Sequence, residues 1–533
     1  MPPRSPRPDP AASIGRRDAL LGALALALAP LPVAGCSSEA LATPPKSAFV
    51  HGVASGDPLP EAVMLWTRVK GPGDEPVDVS WVVAEDPALE RRVASGSVTT
   101  TRERDFTVKV DVLGLAAGRT YYYRFEALGD RSPVGRTRTA PSGAVDRLRF
   151  AVVSCASLAH GYFHGYRALA AQADLDGVLH LGDYIYEYGS GGYGNVRLYE
   201  PEHELLSLAD YRLRHAQYKR DPDLQAAHRQ HPFITIWDDH EIANDGWKDG
   251  AQNHTPDEGA WADRKAAAQR AYMEWMPIRE QADGRIFRRL PFGDLAELVL
   301  LDTRYHARSA QIGGPLAPPP PANPTRTLLG DDQAAWMEGA LRDSKARWKL
   351  LAQQVMVGNL IIDPGKTLAN LDQWHGYPES RTRLLTFLRD SGVKDVVVLT
   401  GDIHSSWANE LTFDPNDAAT YDPATGRGSV AVELVTPGIT SPGIPDLFLG
   451  VLNDARPKNP HVRWVDGNKR GFIVLDVTRE RTQAAWHHFA DITLEEPQVP
   501  AFAAAWSVRA GETRLVSEPS PASPREGAPA LAP

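Results

Sequence analysis

Three short apolar runs in this chain each end on a knot of acids and imidazole, and no other feature restricts the fold as much. They are VLHLGDYIYE at 178 to 187, FITIWDDHEIAND at 233 to 245 and VVVLTGDIHSSW at 396 to 407. A buried strand that delivers hard ligands at its carboxyl end is how α/β proteins build metal sites, because the backbone is fixed while the following loop points outward. Three such ends predict one shared site.

At 533 residues the chain exceeds the roughly 250 to 300 residues at which single cores stop growing, so two domains are expected. The 57 basic and 67 acidic residues leave a net charge of -10. That balance speaks against nucleic-acid binding, which needs excess Lys and Arg against phosphates. A chain of this charge that handles phosphate must supply positive charge locally, from a metal or a cationic pocket.

Residues 1 to 36 read as a targeting segment and are set aside from the fold. Ser13-Ile14-Gly15-Arg16-Arg17-Asp18 precedes an apolar stretch, Ala19 to Ala29, shorter than the about 20 residues of a membrane-spanning helix. The twin arginines resemble a Tat export signal, the route of proteins that fold before crossing the membrane. Val33-Ala34-Gly35-Cys36 resembles a lipobox, which would make Cys36 the lipidated first residue of the mature chain; a plain signal peptide cleaved elsewhere is the alternative. The expectation is an exported protein, periplasmic or at the cell surface, with the Tat machinery as partner and the membrane reached only through that lipid.

The one other cysteine, Cys155, leaves no material for a disulfide framework. It follows the apolar run Leu148 to Val153 directly, as the acids follow theirs. Metal ligation is therefore the favoured reading over a plain buried thiol.

Residues 37 to 47 read as a polar tether. From 48 to 142 the pattern is strand-like: Phe106, Val108, Val110 and Val112 alternate with polar residues, and turn signals at Gly71-Pro72-Gly73, Leu113-Gly114 and Gly118 separate the runs. This spacing predicts an all-β sandwich of the immunoglobulin or fibronectin kind. From 145 to 495 apolar runs at 148 to 153, 233 to 237, 295 to 301, 348 to 357 and 395 to 400 interleave with helical patterns at 162 to 173, 203 to 230, 260 to 276, 331 to 345 and 381 to 391. That alternation predicts an α/β domain with helix-covered sheets, closed by strands at 430 to 435, 471 to 477 and 483 to 489. The Pro-rich segment 315 to 324 reads as a surface loop. A C-terminal segment, 496 to 533, is rich in Pro, Ala, Ser and Glu towards its end, and disorder is expected from about 515.

At the strand ends, Asp183 follows Gly182, whose flexibility permits a sharp turn, and Tyr186 follows three residues later. A carboxylate can bridge two metals, and a phenolate suits a hard trivalent ion such as iron. Asp238-Asp239-His240-Glu241 crowds polar groups after a run that should be buried, which is costly unless a cation is bound; an acidic helix start is the alternative. Asp402 and His404, two residues apart, face one side if the extended backbone continues.

The ordered set Cys155, Gly182-Asp183-x-x-Tyr186, Asp239-His240-Glu241, Gln353-Gln354 and Gly401-Asp402-x-His404 resembles the calcineurin-like metallophosphoesterases, most closely the PhoD-type alkaline phosphatases. His51-Gly52-Val53-Ala54-Ser55-Gly56-Asp57-Pro58, Leu65-Trp66-Thr67-Arg68, Leu301-Asp302-Thr303-Arg304 and Leu328-Leu329-Gly330 with Gln333 and Trp336 extend the match over roughly 48 to 490. The resemblance implies a four-layer metallophosphatase sandwich behind the β-sandwich domain. It implies Fe3+ on Cys155, Asp183, Tyr186 and His404. A second site, of Ca2+ with Mg2+ or Mn2+ as alternatives, would take Asp183, Asp238, Asp239, Asp402 and the Gln354 amide. The implied reaction is hydrolysis of phosphate mono- and diesters by a metal-bound oxide or hydroxide. His240 would stabilise the transition state or protonate the leaving alkoxide. Glu241 would either orient that imidazole or sit solvated at a helix start. Arg304 would either clamp phosphate or serve a structural salt bridge.

Small phosphoesters are the expected substrates, with phospholipids and extracellular nucleotides among them. Phospholipase D or another phosphodiesterase activity on the same metal core is the nearest alternative. A non-catalytic surface-binding protein is a remote one, since decay should first lose ligands and none is missing. A dimetal zinc hydrolase acting on amides predicts histidine-rich ligation, against the Asp and Tyr excess found here.

Overall fold

The computed structural model describes residues 47–70, 73–313, 316–321, 323–363 and 368–533. The twin arginines, Cys36 and nearly all of the tether lie outside them. No described helix is long and apolar enough to cross a membrane.

Two large sheets carry the chain. The first, ten-stranded, runs in the order Leu515–Glu518, Ala501–Arg509, Arg481–Phe489, Arg470–Thr478, Arg147–Val153, Gly177–His180, Pro232–Thr235, Val53–Leu59, Ala62–Arg68 and Thr107–Leu113. The second, seven-stranded, runs Arg288–Phe292, Ala296–Leu300, Trp348–Gln353, Val396–Thr400, Ala431–Val435, Ser406–Leu411 and Val462–Asp466. Period-2 alternation distributes the strand Trp348–Gln353 between two cores. Leu350 joins Phe150, Val152 and Leu434 in the core between the sheets, while its neighbour Leu351 joins Met337, Leu341, Leu384 and Leu388 of the helices Gly330–Asp343 and Pro378–Asp390. On the first sheet, Leu169, Tyr211, Tyr218 and Leu224 pack from the helices His164–Ala170, Leu208–Lys219 and Pro222–Gln230. The break within 203 to 230 has a local cause: Asp221 caps the backbone N–H groups of Asp223 and Leu224, and Pro222 starts the new helix.

The strands Arg147–Val153, Gly177–His180 and Pro232–Thr235 are mutually parallel, as are Ala296–Leu300, Trp348–Gln353, Val396–Thr400 and Ala431–Val435. Their following loops meet. Ser154 bridges to Gly438, Cys155 N donates to Gly182 O at 3.1 Å, and Gly401 N donates to Gln354 O at 2.9 Å. A Cβ on Gly182 would stand 2.4 Å from that of Asp238, so this crossing requires glycine.

The N-terminal β region differs from a free-standing sandwich. Its second sheet, built on Arg92–Thr100, Val77–Ala84 and Thr120–Ala127, shares a core of Val63, Leu65, Val79, Val83, Tyr123 and Phe125 with the strands opposite. Those opposite strands are the edge of the ten-stranded sheet. Val53–Leu59 pairs in parallel with Pro232–Thr235, and Gly56 makes this possible, because a Cβ there would lie 2.2 Å from Pro277 O and 2.5 Å from Phe233 O. Alternation identifies a strand but not its partner.

The C-terminal end is ordered, contrary to the expectation from composition. Leu515–Glu518 pairs with Ala501–Arg509. Beyond it, Arg525 N donates to Asp174 Oδ2 at 2.7 Å, and Gln230 exchanges two hydrogen bonds with the Ala532 backbone at 2.9 and 3.0 Å. Order here comes from partners on distant elements, which composition does not register.

Asp57 stitches the β region to the rest. Its carboxylate, 1% exposed, accepts from Arg288 at 2.6 Å and from Arg279 N at 2.8 Å. Asp57→Ala strands a buried guanidinium, and a loss of about 3 to 5 kcal/mol is expected, read as a lower urea midpoint.

Candidate metal centre

Four of the proposed ligands share an unusual backbone. Cys155, Asp183, Asp402 and His404 have φ of 58, 55, 59 and 55°, a left-handed conformation costing about 1 to 3 kcal/mol at a non-glycine residue. Each sits just past a strand end, where the turn redirects its side chain into the junction between the sheets.

Among the described residues three groups of side chains bring potential ligand atoms within 4.8 Å of one another: Cys155, Asp183 and His404; Asp183, Asp239 and His240; and Asp238, Asp239 and Asp402. Asp183 belongs to two of them. Around the first, Tyr186 OH donates to Asp183 Oδ2 at 2.9 Å and lies 3.3 Å from His404 Nε2 and 2.5 Å from Ser441 Oγ. His404 Nδ1 lies 3.0 Å from Pro442 O, which can only accept; the proton is therefore on Nδ1, and Nε2 offers its lone pair to the site. Burial, reinforced by the Asp183 charge, holds the Cys155 thiol and the Tyr186 phenol well above their ordinary pKa ranges. A bound cation reverses that sign.

The carboxylate corner is organised by Arg304. Its fully buried guanidinium contacts Asp238 at 2.5 Å, Asp402 at 2.6 Å and Asp372 at 2.8 Å. Even so, burial pushes Asp402 up to about 6 and holds Asp238 well above the usual carboxylate range. Asp239 is held low instead: burial opposes its charge, but Arg304, His240 and the Asp245 N–H outweigh it. The second oxygen of Asp238 is buried with no hydrogen-bond partner. That orphan, the His404 Nε2 turned towards Tyr186 and Asp183, and the excess of carboxylates over arginine all fit metal ions.

Arg304 resolves to the salt-bridge alternative, and the expected roles of Gln354 and Glu241 change. Arg304 is committed to carboxylates and is not free to clamp phosphate. The Gln354 carbonyl accepts from Thr303 N at 3.1 Å and Thr303 Oγ1 at 2.5 Å while its amide donates to Leu301 O, so both ends of the side chain are engaged in bracing the Thr303 loop. Glu241 neither orients His240 nor meets solvent: its carboxylate accepts from Asp183 N at 3.1 Å, Tyr184 N at 2.7 Å and Asp238 N at 2.8 Å, tying two ligand loops together. His240 is oriented by Glu187, with 2.7 Å between Nδ1 and Oε2. Burial opposes the imidazolium, but Glu187, Asp239 and Asp183 raise it well above the ordinary histidine range.

Glu187 and Asp372 are the residues that sequence reasoning missed. Glu187 closes the VLHLGDYIYE run, so its position was a usable signal. Asp372 lies in a loop with no preceding strand run and has no such marker. It ties Arg304 to Arg308 and Gln311.

Ligands gathered at the joined carboxyl ends of two sheets define a metal-dependent hydrolase. The profile of the PhoD-like phosphatase family matches residues 150–486, and that of the PhoD-like phosphatase N-terminal domain matches residues 35–141. Alkaline phosphatase D of Bacillus subtilis (strain 168) is 36% identical over 471 residues, 84% of this chain and 78% of that one. A solved structure of PhoD superposes with a TM-score of 0.82 at 34% identity, over 91% of this chain and 95% of that one. The chain belongs to the PhoD-like phosphatase family, and is thereby a metal-dependent phosphoester hydrolase.

Glu241→Gln replaces a carboxylate that holds three N–H groups with an amide that keeps one acceptor oxygen. A loss of about 1 to 3 kcal/mol in urea unfolding is expected; unchanged stability would remove the bracing role.

Proposed function

We propose that the chain hydrolyses phosphate mono- and diesters with ferric iron and calcium held side by side. The observation that carries this reading is the asymmetry about Asp183: thiol, phenol and imidazole on one side, carboxylates on the other. Cys155, Asp183, Tyr186 and His404 would hold iron, whose charge favours the deprotonated thiol and phenol. Asp183, Asp238, Asp239 and Asp402 would hold calcium, with magnesium or manganese as alternatives. Bound there, such ions neutralise the phosphoryl charge and lower the pKa of nearby water. The two face-packed sheets with helices outside support the four-layer metallophosphatase arrangement.

The chain's own groups do the remaining work. Glu187 fixes His240 through Nδ1 and is itself held by Asn244 N at 2.7 Å and Asn253 Nδ2 at 2.8 Å. Tyr186 packs on the imidazole at 4.2 Å between ring centroids and Tyr188 at 5.4 Å. His240 is thus positioned as a charged donor for the leaving alkoxide. Arg304 keeps Asp238 and Asp402 aimed inward. The Asp402 and His404 side chains, 12% and 17% exposed, mark the opening through which an ester reaches the centre.

Metal quantification on the purified chain, beside a panel of monoesters, diesters and phosphatidylcholine, tests this reading. Iron with calcium and release of phosphate from simple monoesters is expected, and Cys155→Ala should lose iron and activity together. Normal iron content in that variant overturns its ligand role; choline release exceeding phosphate release would favour the phospholipase D alternative.

Export through the Tat route, with lipidation at Cys36, is proposed from the sequence. Folding before export lets iron meet Cys155 while the thiol is reduced. Arg16→Lys with Arg17→Lys should retain active enzyme in the cytoplasm, and undiminished activity outside the membrane would sink that idea.

A further inference from the structure

Arg470 opens the strand Arg470–Thr478 directly behind the ligand loops. Backbone contacts fix that position. Gly471 N donates to Gly438 O at 3.0 Å, and Gly438 bridges to Ser154 beside Cys155. Ile444 N donates to Gly467 O at 2.7 Å. Gly443 packs so closely on the turn before Arg470 that a Cβ would lie 2.6 Å from Gly467 O, 2.8 Å from Asn468 Cα and 3.0 Å from His404 O. Ser441 and Pro442, which run between these contacts, touch Tyr186 and His404.

The guanidinium at this place is unlike its neighbours. It is half-buried, donates from Nη1 to Asn468 O, and keeps Nε buried with no partner. Among the described residues it forms no ion pair. Burial lowers its pKa, and Tyr193, Asp446 and Asp491 work the other way. By contrast, Arg304 is spent on Asp238, Asp372 and Asp402, Arg264 on Glu204, and Arg214 on backbone carbonyls. A half-buried guanidinium with no direct ion pair carries a free-energy cost that an incoming anion relieves, and its fork matches phosphate oxygens.

The surroundings link it to the reaction site. His160 meets Tyr193 edge-on at 4.4 Å between ring centroids, and Tyr193 stacks on Tyr186 at 5.5 Å. Burial, with the charge of Arg470, pushes His160 down to about 3, so its ring stays neutral there.

We propose that Arg470 is a specificity-determining residue that binds a second phosphate on the substrate, beside the phosphoryl group undergoing hydrolysis. This rests on the phosphoester hydrolase reading and narrows its substrate class to esters that carry two phosphates. The second phosphate could be the free end of a bisphosphorylated alcohol or the next unit of a phosphodiester chain; the chemistry that Arg470 reads is the same.

The test uses the full chain with its metals, as wild type, Arg470→Gln and Arg470→Lys. Substrates are propane-1,3-diol monophosphate, its bisphosphate, and the dimer in which two such units share a diester. In Arg470→Gln the preference in kcat/KM for the bisphosphate or the dimer over the monophosphate should fall about 10-fold or more, chiefly through KM, and Arg470→Lys should restore part of it. Which preference falls tells the two sources apart. Equal losses on all three esters mean a structural role and overturn the assignment, as does an unchanged preference. Calorimetric binding of propane-1,3-bisphosphonate against propylphosphonate reads the same preference without turnover. It decides on Arg470 even if the wild type hydrolyses none of the esters, an outcome that would count against the hydrolase reading alone.

Discussion

Carboxylates gathered where the ends of two sheets meet set the terms for everything else in this protein. Asp183, Asp238 and Asp239 are buried there, with Asp402 at the opening and Glu187, Glu241 and Asp372 close behind. Against them stand Arg304, Arg308 and the imidazolium of His240. Each buried charge without a partner costs several kcal/mol, so the arrangement is stable in full only with cations in it. The protein has solved the smaller part of that problem itself, through Arg304. The larger part falls to the metals, and the orphan oxygen of Asp238 marks where internal compensation stops.

The fold serves this junction by making its backbone rigid. Parallel strands from both sheets deliver their loops to one place, and the loops then fasten to each other rather than to solvent: Cys155 N to Gly182 O, Gly401 N to Gln354 O, and Asp183, Tyr184 and Asp238 N–H groups to Glu241. Such contacts compensate the left-handed backbone at the four candidate ligands. A ligand loop held only by its own turn would relax to a commoner conformation and aim its side chain elsewhere.

What the sequence could disclose follows from the range of each interaction. Strand ends at Asp183, Asp239 and Asp402 were legible because an apolar run and the acid after it lie within about ten residues, and every one of those acids reaches the centre. Arg304 was visible as a charged residue after a strand, yet its partners come from three other loops, so its service to Asp238, Asp372 and Asp402 could not be read. The orienting duty expected of Glu241 falls to Glu187, which sequence reasoning missed, for a similar reason. Glu241 is adjacent to His240 in sequence, but the turn carries its side chain back to the Asp183 loop, leaving Nδ1 of His240 to a carboxylate 53 positions away. The same limit explains the N-terminal strands, legible as strands but not as an extension of the main sheet, and the ordered C-terminal end.

Arg304 also explains why the site can combine charge density with definite geometry. A carboxylate that lacks a fixed donor rotates to whichever partner is nearest, and four of them at one junction would repel into several arrangements. Arg304 takes one oxygen from Asp238 at Nε and one from Asp402 at Nη2, and its Nη1 holds Asp372. At about 4 Å an opposite charge is worth roughly 4 kcal/mol in a medium of effective dielectric near 20, enough to fix those rotamers but not to neutralise the set. The guanidinium therefore acts as a permanent cation that orients the ligands and leaves their remaining oxygens for exchangeable ones. Using it to grip substrate would undo that orientation, which is why phosphate recognition has to come from elsewhere in the structure.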